Sequence, residues 1–546
     1  MDQQRVWLAV GLSLLLLVLY QEFVVRPYQT APPGPIPVQA PAPGKPVEPI
    51  GPEKPVEPAG PGQQAAPSRP VAAPAAAERP VATAGLAVSP GDAPAVTVET
   101  DLFLARLTSE GARLAGLELK GYRRAVARDS PALNLVDPGT GALPLTLQLG
   151  ATATDAGVRY TFDKDRLVLS GSDEGEVVFK GTRPDGSPIE KRLRFRGDSY
   201  LFDLRVDTPG PAVGLVLMPI AAESAAGGQT PGEEKIVTLA GGKLNERTLS
   251  SVAEGVPPVE QAMWSGFTAQ YFAALGMPRE GTARVVMGTV DGHTIVRLDT
   301  IPESGGRYGF ELFYGPKERK VLAPLGHDLS RVVDYGYFWF IAIPLLKLLE
   351  LLHRVTGNYG IDIILLTTLV KIVTIPLTQT SFRSMKAMQK LQPEMLQLRE
   401  RYKDDQTELQ KKMMELYKRH KVNPLSGCLP MLLQIPIFVG LYNALMHAIE
   451  LRHAPFMLWI NDLSAPDRLM VAGVGIPVLT LLMGASMLLQ QWMSPQQGDP
   501  TQQKMMMIMP VVFTFMFINF PAGLVLYWLV NNILTIGQQY WMLRSS

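Results

Sequence analysis

Hydrophobic and polar positions follow three regimes along this chain of 546 residues. The first fills residues 96–330, where short runs alternate apolar with polar: Val96-Thr97-Val98-Glu99, Arg166-Leu167-Val168-Leu169, Glu176-Val177-Val178-Phe179, Arg192-Leu193-Arg194-Phe195-Arg196, Leu201-Phe202-Asp203-Leu204-Arg205-Val206, Arg284-Val285-Val286-Met287 and Phe310-Glu311-Leu312-Phe313. A period of two sends alternate side chains to opposite faces of a strand, and the intervening Gly, Pro and Asp make turns. The pattern predicts a large antiparallel β sandwich. The second regime starts after Asp334. Phe338 to Leu352 is apolar but carries Lys347 and Glu350, with His353 and Arg354 just beyond and Pro344 inside. Residues 331–357 therefore read as an amphipathic helix lying at a membrane interface. Residues 358–546 then hold long apolar stretches: Tyr359 to Leu377, 28 uncharged residues between Lys421 and Glu450, 30 between Arg468 and Asp499, and 39 from Met505 to Leu543. A 39-residue helix would reach roughly 58 Å, nearly twice a hydrocarbon core, so the last stretch is two crossings joined at Asn519-Phe520-Pro521-Ala522-Gly523. The predicted spans are about 359–377, 429–449, 469–490, 505–519 and 522–541.

The third regime, residues 378–427, lies between two spans. Phe382, Met385, Met388, Leu391, Met395 and Leu398 recur at spacings of three and four, and Leu409, Met413 and Leu416 do so again after a break at Lys403-Asp404-Asp405. This predicts an antiparallel helical hairpin with charged outer faces, its first arm kinked or restarted at Pro393.

The amino-terminal residues differ again. Val6 to Gln21 is uncharged and Leu-rich, enough for a helix of about 24 Å. It is either a cleaved signal peptide or an uncleaved anchor. Gln21-Glu22-Phe23-Val24-Val25-Arg26 offers no small-x-small cleavage site, which favours an anchor over residues 1–28. Residues 29–95 hold the proline excess, with 18 of the chain's 47 prolines between Ala31 and Pro94. Such a segment cannot bury enough apolar surface to offset the entropy of ordering, and it reads as a disordered Pro/Ala-rich tether.

Charge changes this picture by giving it a direction. The overall net charge of +1 hides an acidic β region, with 26 Lys and Arg against 31 Asp and Glu in residues 91–330, and a basic hairpin, with eleven basic against six acidic residues over 383–421. Of Lys and Arg, the 450–469 loop carries only Arg452 and Arg468. Positive residues mark the cytoplasmic side, so the hairpin is cytoplasmic, the β domain lies outside and both termini lie inside. A single cysteine excludes a disulfide framework and a CxxC metal site. With no HExxH, GxSxG or Gly-rich phosphate loop, the sequence predicts no catalytic residue, no metal site and no cofactor.

The candidate chemistry is a lone cation within a predicted span. Lys371 costs about 2.5–3.5 kcal/mol at a helix centre on insertion scales and needs a cavity, a partner or a path to the headgroups. Thr367, Lys371, Thr374 and Thr378 share one helical face, and Tyr527, Asn531, Thr535 and Gln538 repeat the pattern on the last span. Gln434, Thr514 and Asn519 add polar groups on other spans. Such stripes either bond helix to helix or line a shared hydrated groove. The basic hairpin is either a solvated, self-packed element or a docking site for a negative surface. A small-solute transporter or channel with Lys371 as counter-ion stays open, as does a membrane-anchored periplasmic carbohydrate-binding protein.

Several motifs carry a resemblance. Asn423-Pro424-Leu425-Ser426-Gly427-Cys428-Leu429-Pro430 precedes Gln434-Ile435-Pro436-Ile437-Phe438; Met493-Ser494-Pro495 precedes Asp499-Pro500 and Gln502-Gln503-Lys504-Met505-Met506; and Phe520-Pro521-Ala522-Gly523-Leu524-Val525-Leu526-Tyr527-Trp528 begins the last span. With Trp264, Tyr271-Phe272 and Phe313-Tyr314-Gly315-Pro316-Lys317 in the outer part, these residues resemble the YidC/Oxa/Alb insertase family in its Gram-negative form. The resemblance covers the chain except the tether. It implies an α-helical polytopic membrane protein of the bacterial inner membrane, with six transmembrane helices, five of them an insertase core, and an all-β periplasmic supersandwich domain. It implies a membrane protein insertase and chaperone, not an enzyme, acting alone or with the Sec translocon through a hydrophilic, cation-bearing groove open to cytoplasm and lipid. The client-binding groove it implies is lined by Lys371, Thr367, Thr374, Gln434, Tyr527, Trp528 and Asn531. Partners would be nascent membrane-protein clients, the bilayer, the Sec translocon and the ribosome, the last through Arg399, Arg401, Lys403, Lys411, Lys412 and Lys418. Two departures stand out. Lysine replaces the family's usual arginine at 371, keeping the charge but losing the planar fork of donors. Arg544-Ser545-Ser546 brings no basic tail, so ribosome docking is expected to rest on the hairpin and the 491–504 loop.

Overall fold

The computed structural model describes residues 95–544, except 128, 137–141, 151–152, 211–212, 222–233, 255, 303–305, 404, 421, 423–428 and 494–499. The expected anchor, the tether up to residue 94, Asn423 to Cys428 and the 494–499 part of the second cytoplasmic loop lie outside the described residues.

The alternating runs form strands in two sheets. Ala132–Asn134, Arg113–Arg123, Phe103–Thr108, Ala95–Glu99 and Arg166–Val168 lie side by side in that order, all antiparallel except the last pair. Among the described residues, fourteen further strands between Thr146 and Pro316 make the second sheet. Its strand Val259–Thr268 changes partner along its length, pairing first with Ala283–Val290 and then with Phe272–Pro278. A register shift between Val259 and Ala262, where Gln261 has a positive φ of 54°, lets the strand bend from one neighbour to the other.

Period-two logic holds strand by strand. In Pro188–Arg196, Ile189, Leu193 and Phe195 point inward while Arg192, Arg194 and Arg196 face solvent. The same period places Lys191 on the inward face, fully buried. Its ammonium is 2.6 Å from Asp155 and donates to the carbonyls of Gly111 and Leu145 at 2.6 and 2.8 Å. Asp155 also accepts from the Leu147 amide and from the Tyr160 hydroxyl. Every partner is supplied inside the core. Burial still pushes Lys191 below the usual lysine range, and the Asp155 charge opposes that shift. Removing one member would leave the other buried and alone, at a cost of about 3–5 kcal/mol.

Among the described residues, a single helical turn at Arg319–Leu322 is followed by eight longer helices. α1 is Trp339–Thr356, α2 Tyr359–Lys390, α3 Gln392–Arg401, α4 Gln406–Arg419, α5 Leu429–His447, α6 Val478–Met493, α7 Pro500–Phe517 and α8 Ala522–Arg544. Their ends differ from the apolar boundaries in the sequence. α2 runs on past Leu377 to Lys390, because Thr378 to Lys390 contains neither Gly nor Pro and a helix need not stop where the chain turns polar. It stops at Leu391, and Pro393 sits in the first turn of α3, where its missing N–H costs nothing. Residues 469–476, expected at the start of a span, instead form a small hairpin of Leu469–Val471 and Val474–Ile476. Ala472 and Gly473 both take positive φ, the requirement of a tight two-residue turn, and α6 begins only after Pro477. α7 starts at Pro500, earlier than the uncharged stretch, since Thr501 to Gln503 are compatible with a helix.

α1 packs on α2 and α5, and α8 packs on α2 and α6. A buried cluster of Ile363, Leu366, Leu441, Leu445, Met483, Leu524 and Val525 forms the centre of the bundle. The outside is apolar too: Ile361, Leu365, Leu369, Ile372 and Val373 on α2, Leu481, Leu482, Leu488 and Leu489 on α6, and Ile508, Val511, Val512 and Phe515 on α7 are exposed. Exposed aromatics sit at both ends, Tyr337, Trp339 and Phe340 at one and Trp492, Tyr540 and Trp541 at the other. An apolar belt edged by aromatic side chains is the surface a bilayer stabilises. Among the described residues α2 alone is both long and apolar enough to count as a span by itself; α6 and the apolar part of α7 are shorter.

The β region is fastened to one end of this bundle. Trp264, Leu275 and Phe313 share a buried cluster with Val332, Tyr335, Ala342 and Ala444. The Trp264 indole donates to the His327 carbonyl at 2.8 Å. Gln270 donates to the Met446 carbonyl at 3.0 Å, satisfying an otherwise open acceptor at the end of α5, and Asn443 donates to the Tyr335 carbonyl at 3.1 Å. Gly336 is needed here twice over: its φ is 68°, and a Cβ would collide with the Asn443 amide.

Candidate functional site

Lys371 lies three turns into α2, on the side that packs against α8. It is half-buried, and its ammonium donates to Thr535 Oγ1 at 2.7 Å. No carboxylate among the described residues pairs with it. The threonines of the same face behave differently. Thr367 donates to the Ile363 carbonyl, Thr374 to that of Lys371 and Thr378 to that of Thr374. Each hydroxyl proton is spent within its own helix, so the polar stripe of α2 is not a ladder of helix-to-helix bonds. The described crossing bond on this stripe is the one Lys371 makes.

A second polar contact ties α5 to α8. Gln434 donates to the Tyr527 hydroxyl at 2.5 Å, and Tyr527 is buried. Tyr527 and Thr535 are eight residues apart, about 12 Å along α8 and within a quarter turn of one face. α8 thus carries two polar contacts, one to α5 and one to α2, with Asn531 between them. The Asn531 carbonyl accepts from Thr535 at 2.6 Å, and its side chain is half-buried. One turn beyond Thr535, both polar atoms of the Gln538 amide are buried without a hydrogen-bond partner among the described residues.

Trp528 sits elsewhere. Being one residue on from Tyr527, it is turned by about 100° and packs among Phe438, Phe513 and Phe517, with ring centroids 4.6–6.1 Å away. It joins α5, α7 and α8 by aromatic packing rather than through the polar seam. Thr367, on the buried side of α2, is 1% exposed. Thr535, Ser486 and Asn532 were not singled out as site residues in the sequence. Asn532 donates to Ser486 at 3.0 Å and ties α8 to α6. The signal for Thr535 was its position in the stripe of α8; the signal for Asn532, a polar residue amid an apolar run, does not specify a partner.

The basic hairpin closes on itself. Asp405 caps α4 by accepting from the amides of Thr407 and Glu408, and Tyr417 reaches Met395 across the pair. Lys411 and Lys412 lie within 4 Å of Glu408, and Lys412 is 3.0 Å from Glu415. Arg401, Lys403 and Lys418 are exposed, and Arg399 is half-buried. Among the described residues no group of His, Cys, Asp and Glu could hold a metal ion.

A lipid-matched helical bundle with a polar, lysine-bearing seam, joined to an external β domain, defines an integral membrane protein with an extramembrane domain. Comparisons with known proteins narrow this. A family model described as 60Kd inner membrane protein matches residues 351–546, and one described as YidC periplasmic domain matches residues 95–348. The membrane protein insertase YidC of Oleidesulfovibrio alaskensis is 40% identical, covering 88% of this chain and 91% of its own length. That of Syntrophus aciditrophicus is 37% identical over 100% of both chains. A solved structure of an active YidC insertase with its first transmembrane domain resolved is 18% identical, covering 82% of this chain and 92% of its own, with a TM-score of 0.36. The chain belongs to the YidC membrane protein insertase family, an inner-membrane family with a periplasmic domain.

Proposed function

We propose that this protein inserts membrane proteins into the bacterial inner membrane and helps them fold, through the polar seam between α2, α5 and α8. In this reading the anchor, α2, α5, α6, α7 and α8 are six spans, α1 lies at the periplasmic interface, the β domain is periplasmic, and the hairpin and both termini are cytoplasmic. Lys371, Thr374, Gln434 and Asn531 line a client groove open to cytoplasm and lipid, the buried Thr367 and Tyr527 form its floor, and Trp528 braces its wall. The observation that carries it is the Lys371 ammonium, which lies between two helices with a hydroxyl and no carboxylate as its described partner.

Such a cation lowers the electrostatic cost of drawing an acidic client segment below the headgroups. Polar walls also shorten the apolar path that the segment must cross. No bond is made or broken, and no cofactor is required. Nascent chains are the clients. The exposed bases of the hairpin, with Arg399, Lys411 and Lys412, form a docking surface for the ribosome, and the Sec translocon is a partner for larger clients. The test is Lys371→Glu in a reconstituted insertion assay, using a client with an acidic translocated tail. Insertion should collapse; insertion at the unsubstituted rate would overturn the groove mechanism.

A further inference from the structure

We infer that Thr535 is the positioning residue for Lys371: it fixes the ammonium at the depth where an acidic client group meets it, and thereby sets the selectivity of the groove for acidic over uncharged tails. The inference rests on the groove reading above and adds a residue to it.

The geometry of one hydroxyl carries it. Thr535 Oγ1 has a single proton, and that proton goes to the Asn531 carbonyl at 2.6 Å. The rotor is therefore set, and a lone pair faces Lys371 Nζ at 2.7 Å. Thr535 is 9% exposed, and its β-branched side chain sits on a regular helix, so its χ1 has little freedom. Lysine has four rotatable bonds and a long apolar stem. Without a fixed acceptor, an ammonium in the cytoplasmic half of a span would swing toward the headgroups. On α2, Thr374 and Thr378 bond to the carbonyls of Lys371 and Thr374, and no described hydrogen bond joins the Lys371 ammonium to either hydroxyl, so Thr535 is its described acceptor.

A neutral hydroxyl is also an acceptor that a client can displace. A carboxylate brings full opposite charge and takes the ammonium in its place. An uncharged polar tail brings an acceptor no better than Thr535 and gains little by exchange. The bond thus holds the cation in place while remaining weak enough to yield to the right client. The unpartnered Gln538 amide, one turn away on the same side of α8, adds a donor and an acceptor that no described group uses.

The experiment compares Thr535→Val and Thr535→Ser in full-length protein reconstituted in vesicles, with two clients that differ only in an acidic or an uncharged tail. Thr535→Val keeps the shape and removes the acceptor. It should slow the acidic client by roughly tenfold, the scale of one hydrogen bond to a charged group, and leave the uncharged client within about twofold. Thr535→Ser should restore the acidic client. Equal slowing of both clients, no slowing of either, or failure of serine to rescue would overturn the inference. Lys371→Glu, run in parallel, separates the two levels. If it blocks the acidic client and Thr535→Val does not, the positioning role fails and the groove stands; if neither matters, the groove itself fails.

Discussion

Glu318 stands at the join between the β region and the helices, where Lys320 lies 3.2 Å from Glu350 and 4.0 Å from Glu450. Burial first, and then the charge and hydrogen bond of Glu450, push its carboxyl up from about 4.5 to about 7; Lys320 partly offsets this. A carboxyl raised in the folded state binds a proton there that the unfolded chain has already lost. Its contribution to stability is therefore fully present below about pH 4.5, falls as pH rises through the window to about 7, and is flat above it. Glu318→Gln keeps the shape and removes the titration. Thermal unfolding of the solubilised protein should show the variant gaining on the parent as pH rises through that window. A constant difference between the two would contradict the assignment. None of this was legible in the sequence, because Glu318 and Glu450 are 132 positions apart and a close carboxyl pair has no local signature. Lys371 is the opposite case: an intramembrane charge costs so much that its presence in an apolar run is itself the signal. The sequence could pick out the cation but not its acceptor, since Tyr527, Asn531, Thr535 and Gln538 are equivalent in a stripe and only packing selects Thr535.

Among the elements, helices were legible by type and less so by end. Hydrophobicity reports where the chain is apolar, whereas a helix ends where caps, Gly and Pro dictate. α2 shows the difference: its 32 residues reach about 48 Å, longer than an apolar layer of about 30 Å, and its polar end runs on to the hairpin of α3 and α4. Residues 469–476 show it from the other side, since an uncharged run can be a β hairpin when Ala472-Gly473 makes its turn. The break at Lys403-Asp404-Asp405 was readable because Asp is a strong helix cap. That cap carries a prediction. Asp405→Ala leaves the Thr407 and Glu408 amides without their acceptor and should cost about 1 kcal/mol, felt locally. Hydrogen exchange should rise in the first turn of α4 and not in α5 or α8. Unchanged exchange there would show that the cap does not hold the hairpin.

For the whole molecule, alternation gave the β class but not the strand order. Partners such as Leu201–Asp207 and Arg307–Pro316 are about a hundred residues apart, and pairing at that distance is fixed by packing. Nor did the pattern show that the β region is fastened to the bundle through Gln270, Asn443 and Gly336 rather than hanging from it. That fastening holds the β region against α1 and the end of α5. The most direct test of this account is photocrosslinking from positions 367 and 527 to a ribosome-stalled client whose acidic tail has begun to enter the membrane. The account predicts adducts from both positions, lost when the acidic residues are made neutral. Adducts only from the lipid-facing positions 365 and 372, or none from either seam position, would contradict it.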